Sequence, residues 1–189
     1  ILKEFKLPFS VFVSSDYVSD IDSSDYMSWE MLRDIVNNNG LILNHSKSHK
    51  SFLELELNEL KEDIEKNQQI IDKNLGPQPK IFSYPYGESN LNIEDIVQKL
   101  DYHIAFSQHS SPISKNVKKY RLPRFALNDE FGDLKRFKLI LNSRPLIDHD
   151  NTFNDTLINS ETLEFSFKSQ FLSESINCFV NNLASLKKD

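Results

Sequence analysis

Two histidines separated by three residues directly follow a short apolar segment at residues 41–43. If the backbone turns helically after this segment, the imidazoles of His45 and His49 face the same side and can reach one metal ion. A pair of exposed loop histidines with no role would give the same pattern, because H-x-x-x-H arises often by chance. The spacing alone favours this second interpretation.

A second polar turn follows another apolar segment, at residues 82–88. Pro85 and Gly87 fix a turn there that can present the backbone N–H of Tyr86 outward. An outward amide at a strand end can donate to an oxyanion, and the Tyr86 ring can line a sugar site. The alternative is a tight turn in which Tyr84 and Tyr86 are both packed, and the segment on its own favours that alternative.

Short apolar segments alternate with helical patterns over the first 145 residues. Apolar runs predict strands at residues 9–13, 41–43, 81–84, 103–106 and 122–127. Helical spacing and capping residues predict helices at about residues 28–40, 52–75, 90–100 and 131–141. This order is typical of an α/β domain with a parallel sheet, either open or barrel-like. Functional side chains collect at the carboxyl ends of strands in such folds, which is where both polar segments lie.

Composition excludes several functions. The chain has 189 residues and a formal net charge of -6, and it contains no basic run that would bind nucleic acid or an anionic membrane. The single Cys178 excludes an internal disulfide framework and a multi-cysteine zinc site. No apolar stretch approaches the roughly 20 residues of a transmembrane helix. Oligomeric state is left open.

The pattern changes after residue 145. Residues 148–155 are loop-like, and apolar runs at 163–167 and 176–180 have the character of strands without a helix between them. We therefore expect one domain at residues 1–145 and a β-rich accessory extension at residues 146–189 that is incomplete.

Several segments occur in the order found in polysaccharide deacetylases that share the NodB homology domain, also called carbohydrate esterase family 4. Residues 7–13 resemble the "PATFFV" strand, residues 29–40 the "W..LR.L...G" helix, residues 44–49 the H-[S/T]-x-x-H metal motif, and residues 82–87 the "F.YPYG" motif. Residues 105–110 and 121–128 resemble the "AF.QQSG" and "LPRF.LN" segments of a bacterial subgroup. Ordered matches of this kind are far more specific than any single one.

The resemblance implies a distorted (β/α) barrel and a metal-dependent hydrolase. Such an enzyme removes N-acetyl groups from a polysaccharide that contains N-acetylglucosamine, and so acts on a carbon–nitrogen bond that is not a peptide bond. It also implies a divalent metal, with Zn²⁺ as the expected ion, and His45 and His49 as two of its ligands. Ser46 would stabilise their loop with a hydrogen bond. By the same resemblance, the protein would work in the periplasm, in the cell envelope or after secretion.

Other site residues follow from the same resemblance. The N–H of Tyr86 would be the oxyanion donor, and Tyr84, Pro85 and Tyr86 would bind substrate. Arg124 would lie inside the barrel and pair with an acidic catalytic residue.

One family motif has no counterpart in this sequence. The "T-F-D-D" motif supplies the third metal ligand and the general base, and it belongs before the segment at residues 7–13. We therefore expect a barrel that lacks its first strand, either because the chain is a piece of a longer enzyme or because it is a degenerate relative. The chain alone should bind zinc weakly and should not deacetylate. A catalytically inactive glycan-binding protein and a structural domain with an accidental H-x-x-x-H are the alternatives.

Overall fold

The computed structural model describes residues 2, 4–19, 25–115 and 117–145. Its strands are β1 (Ser10–Val13), β2 (Leu41–Asn44), β3 (Ile81–Ser83) and β4 (Ile104–Phe106). Its α-helices are α1 (Trp29–Asn37), α2 (Leu57–Leu75), α3 (Leu91–Lys99) and α4 (Leu134–Asn142). Single 3₁₀ turns lie at Ser15–Tyr17 and Pro85–Gly87. No helix in these ranges is both long and apolar enough to cross a lipid bilayer.

The four strands form one parallel sheet in the order β1-β2-β3-β4. Helices α1, α2 and α3 connect successive strands, as parallel pairing requires. The predicted α/β architecture is therefore confirmed. The sheet is open over the described residues, where β1 and β4 are not paired with each other, so closure into a barrel is not confirmed.

Two predicted helix starts are confirmed by their caps. The Ser28 side chain accepts a hydrogen bond from the N–H of Met31, and the Asn90 side chain accepts one from Ile93. Both bonds satisfy backbone donors that the first helical turn leaves without a partner. The sequence therefore marks these two helix ends directly.

Two other predicted boundaries differ from the structure. Helix α2 begins at Leu57 rather than near Phe52, because Glu56 and Glu59 form a capping box there. Phe52 lies instead in a turn, where its side chain is buried in the core. The strand predicted at 122–127 is reduced to a single bridge between Leu122 and Phe106. Pro123 follows directly, and its lack of an N–H limits further pairing. The predicted extension at 146–189 lies outside the described residues.

The core has two parts, and helix α2 contributes to both. On one side Leu60 and Ile64 pack with Phe82 and Tyr84, and on the other Ile71 packs with the β1 and α1 side chains. Burial of these side chains holds α2 against the sheet. Helix α2 consequently passes close to the strand ends that carry the predicted site.

Helix α3 is joined to the segment after β4 by a largely buried ion pair. Glu94 accepts from Arg121, and the side chains retain only 9% and 12% of their exposure. The Ser89 hydroxyl also donates to Glu94. Removing one partner would leave the other charge buried without compensation, which is costly.

Replacing Glu94 with alanine should destabilise the protein by about 2–3 kcal/mol, because the Arg121 guanidinium loses its carboxylate. Urea unfolding followed by circular dichroism measures this loss. Glu62→Ala is the matched control, since Glu62 pairs with Lys66 on the exposed face of α2. The control should leave the unfolding midpoint unchanged. Equal effects of the two substitutions would contradict the role given to the buried pair.

Candidate active site

The predicted site residues lie at one edge of the sheet. The four strands are parallel, so their carboxyl ends meet there. His45 directly follows β2, and the turn at 84–87 directly follows β3. The chain therefore brings its two polar segments to neighbouring strand ends, where parallel α/β folds place binding and catalytic groups.

The two imidazoles lie in contact. The ring centroids of His45 and His49 are 4.9 Å apart, with an interplanar angle of 78°. His45 Nδ1 lies 2.7 Å from the carbonyl oxygen of Ser83. A carbonyl can only accept, so Nδ1 carries the proton and Nε2 keeps its lone pair in the neutral ring. That tautomer is the one in which Nε2 can bind a metal ion.

The surroundings of His45 favour the uncharged imidazole. Its pKa is lowered from 6.5 to about 4, chiefly by burial. The hydrogen bond to Ser83 raises the pKa, and the neighbouring His49 and Arg124 make smaller contributions that lower it. His45 is therefore neutral at pH 7, the form that a metal ligand needs.

The loop that carries the histidines is not the helical turn that their spacing suggested. Ser46 and His49 both have left-handed backbone conformations, with φ of 65° and 54°. The Ser46 hydroxyl oxygen accepts from the N–H of His49 at 2.9 Å, and the Asn44 carboxamide accepts from the N–H of Ser46 at 3.0 Å. The rings thus converge through a tight hydrogen-bonded loop. The bond predicted for Ser46 is confirmed.

Asp63 on helix α2 anchors this loop from the outside. Its carboxylate accepts from the N–H of Lys47 at 2.8 Å and from the N–H of Ser48 at 3.0 Å. No spacing signal in the sequence singles out Asp63 among the acidic residues of α2. Only the packing of α2 across the strand ends shows that this carboxylate forms hydrogen bonds with the loop between the two histidines.

Asn67, one turn further along α2, joins the ends of β1 and β2. Its buried carboxamide donates to the carbonyl of Val13 and to the side chain of Asn44, both at 2.8 Å, and accepts from the N–H of Ser15 at 3.0 Å. Buried polar groups with full sets of partners make a region rigid. Asn67 is a second residue that sequence reasoning missed.

The turn after β3 packs Tyr84 in the core, as one interpretation of its sequence predicted, and exposes Tyr86, as the other predicted. Tyr84 is fully buried, with its hydroxyl donating to the carbonyl of Tyr120, and Pro85 is buried as well. Tyr86 is 59% exposed, and its ring centroid lies 4.9 Å from that of His49. Of the three residues expected to bind substrate, only Tyr86 presents its side chain to solvent. Tyr84 and Pro85 support the turn from the core.

Gly87 is required by this turn. It has φ of 74°, and a Cβ there would come within 2.4 Å of the Gln108 Cβ. Tyr86 itself is left-handed, with φ of 56°. Strained backbone of this kind persists only where its surroundings fix it, and it is common at functional sites.

Arg124 lies beside the histidines without the predicted acidic partner. Its Nε donates to the carbonyl of Ser107 at 2.8 Å, and its guanidinium lies 6.0 Å from the centre of the Phe12 ring. Within the described ranges it forms no ion pair. Burial lowers the pKa of Arg124, and its charge disfavours protonation of His45. Pairing with an acidic catalytic residue stays a prediction.

The described residues supply two imidazoles and no third ligand next to them. No group of three His, Cys, Asp or Glu side chains in these ranges could hold a metal ion. The nearby Asp16 is paired with Lys47 at 2.5 Å. Imidazole nitrogens suit zinc and similar transition metals, so the pair fits part of a metal site.

The sequence of this chain matches a known protein family. The polysaccharide deacetylase family matches residues 1–105, more than half of the chain. No curated protein matches the chain.

Solved structures are similar in fold. The Streptococcus pyogenes deacetylase PplD, in complex with acetate, has a TM-score of 0.68 and 13% identity, over 75% of this chain and 62% of that one. IcaB from Ammonifex degensii has a TM-score of 0.60 and 19% identity, over 74% and 63%. A de-N-acetylase from Aggregatibacter actinomycetemcomitans has a TM-score of 0.61 and 16% identity, over 74% and 67%.

This chain thus spans less than two thirds of the length of the first two of these structures. At such low identities the likeness concerns the fold alone. The family match covers β1 to β3 and both polar segments, and so confirms the resemblance inferred from the motifs. The chain belongs to the polysaccharide deacetylase family.

Proposed function

We propose that this chain carries the histidine half of the active site of a metal-dependent hydrolase. The enzyme would remove acetyl groups from the N-acetylglucosamine units of a polysaccharide. The observation that carries the proposal is the contact between the His45 and His49 rings, with Nδ1–H of His45 held by Ser83. Family membership supports the reaction class, and the exposed Tyr86 beside the imidazoles supports a substrate there.

Four residues of the chain would have distinct roles in this reaction. His45 and His49 would bind a divalent metal, with Zn²⁺ as the expected ion. When bound, such an ion supplies Lewis acidity, which polarises an amide carbonyl and makes water a better nucleophile at neutral pH. The N–H of Tyr86 would donate to the oxyanion that forms when the acetamide is attacked. Burial would keep His45 unprotonated, with a smaller contribution from the Arg124 guanidinium, which would also add positive potential near that charge.

A catalytically inactive glycan-binding relative is the second candidate. The described residues favour it in one respect, because they hold no third metal ligand beside the two imidazoles. Both candidates predict glycan binding, and they differ in hydrolysis. The hydrolase needs a carboxylate ligand and a base from outside the described ranges.

Metal binding should depend on both histidines. We expect Zn²⁺ to bind weakly with a stoichiometry near one, as measured by isothermal titration calorimetry. His45→Ala and His49→Ala should each reduce the affinity by roughly tenfold or more, since each removes one of the two imidazole ligands. His103→Ala is the matched control, because His103 is an exposed histidine before β4. Unchanged affinity in the two site variants, or a loss in the control, would contradict the assignment.

The chain by itself should release no measurable acetate from N-acetylglucosamine oligomers in the presence of Zn²⁺. The part of the chain that the structure describes offers the ion two imidazoles and no carboxylate beside them to complete the ligand set or to act as a base. An enzymatic acetate assay measures this directly. Rapid acetate release that is abolished by His45→Ala would show that the chain completes the site by itself.

Asp63 should affect Zn²⁺ affinity indirectly, through the histidine loop that it holds in place. Asp63→Ala leaves the N–H groups of Lys47 and Ser48 without their partner, so it should cost about 1–2 kcal/mol of stability. It should also weaken Zn²⁺ binding roughly tenfold, because the histidine loop relaxes. Asp63→Asn, which keeps one acceptor oxygen, should be intermediate.

Glu62→Ala on the same helix is the control for Asp63 and should change neither quantity. If Asp63→Ala lowers stability but leaves Zn²⁺ affinity intact, Asp63 supports the fold without positioning the histidines.

A further inference from the structure

A row of aromatic rings leads away from the imidazole pair along the same edge of the sheet. The Tyr17 ring centroid lies 6.2 Å from that of His49, and the Tyr26 centroid lies 5.4 Å from that of Tyr17. These side chains are 46% and 52% exposed. Neither tyrosine belongs to the motifs that indicated the family.

Tyr17 is held firmly beside the histidine loop. It ends the 3₁₀ turn after β1, where its N–H donates to the carbonyl of Ser14 at 3.0 Å. The preceding residue, Asp16, donates its N–H to the carbonyl of Lys47 at 3.1 Å, and its carboxylate pairs with the Lys47 ammonium. The Tyr17 backbone is therefore tied to the loop that carries His45 and His49.

The segment that carries Tyr26 is tied to the same region. The N–H of Ser19 donates to the carbonyl of Met27 at 3.2 Å, and Ser19 forms a parallel bridge with Ser28. These contacts bring Tyr26 beside Tyr17, although eight residues separate them in the sequence. Backbone hydrogen bonds in both segments therefore position the Tyr17 and Tyr26 rings next to each other.

The chemistry of this surface suits a neutral sugar. Tyrosine offers an apolar ring face together with a hydroxyl, and a pyranose offers apolar C–H faces together with hydroxyls. Asp16, which precedes Tyr17 in the chain, is paired with Lys47, so its charge is balanced. Two exposed aromatic rings in contact at the edge of a site are informative, whereas single exposed apolar side chains are common on protein surfaces.

We propose that Tyr17 and Tyr26 form a subsite for the sugar unit next to the one whose acetyl group lies at His45 and His49. The occupant is a neighbouring unit of a neutral, N-acetylated polysaccharide. The subsite makes the protein select a polymer over a monosaccharide. This inference rests on the proposed function, because it takes the imidazole pair as the position of the reacting unit.

The test compares the binding of N-acetylglucosamine with that of its β-1,4-linked tetramer, by NMR titration of the full chain without metal. The tetramer should bind roughly tenfold more tightly than the monosaccharide. Tyr17→Ala should remove most of that difference while monosaccharide binding stays unchanged. Tyr17→Phe should keep the difference, because it retains the ring. Phe5→Ala, at an exposed aromatic residue outside the row, is the control and should have no effect.

Equal affinity for the two sugars, no binding of the tetramer, or an unchanged preference in Tyr17→Ala would each overturn the subsite. So would a Tyr17→Ala variant that alters only the oligomeric state in sedimentation, since the surface would then be an interface between copies of the chain. Zn²⁺ affinity should be the same in wild type and Tyr17→Ala. If tetramer preference depends on Tyr17 while Zn²⁺ binding does not depend on His45, the subsite stands and the proposed metal site fails.

Discussion

Hydrogen bonds from one face of helix α2 to the strand ends hold the histidine loop in place. Asp63 accepts from two successive N–H groups of the loop, and Asn67 links the ends of β1 and β2. The loop needs this support, because left-handed residues such as Ser46 and His49 each cost of order 1 kcal/mol. Apolar packing of α2 against the sheet in turn fixes where Asp63 and Asn67 can reach. The imidazole contact thus depends on a helix that contains neither histidine.

The fixed position of the histidine loop also determines the electrostatic surroundings of His45 and His49. Ser83 at the end of β3 fixes the His45 tautomer, while burial and nearby positive charge keep its ring neutral. The turn after β3 then places Tyr86 against His49 on one side, and the turn after β1 places Tyr17 against it on the other. Three neighbouring strand ends therefore contribute to one surface. This geometry is a direct consequence of parallel pairing in the order of the sequence.

Local patterns predicted the parts of the structure that local physics decides. The four strands, the caps at Ser28 and Asn90, and the histidine motif at the end of β2 were all visible in residue type and spacing. Long-range packing decided the rest. Nothing in the sequence around Asp63 distinguishes it from the other acidic residues of α2. The sequence also does not show which tyrosine of the turn is exposed; the packing of the core shows that Tyr84 is buried and Tyr86 is not. The loop conformation at Ser46 likewise follows from Asp63 and Asn44, not from the H-x-x-x-H spacing.

The central claim is that His45 and His49 are a preformed pair that binds one metal ion. Imidazole ¹⁵N NMR of the full chain during titration with Zn²⁺ tests this most directly. The account predicts that both rings respond together at the same zinc concentration, with Nδ1 of His45 remaining protonated and its Nε2 shifting. A response of only one ring, or loss of the proton from His45 Nδ1 on metal binding, would contradict it.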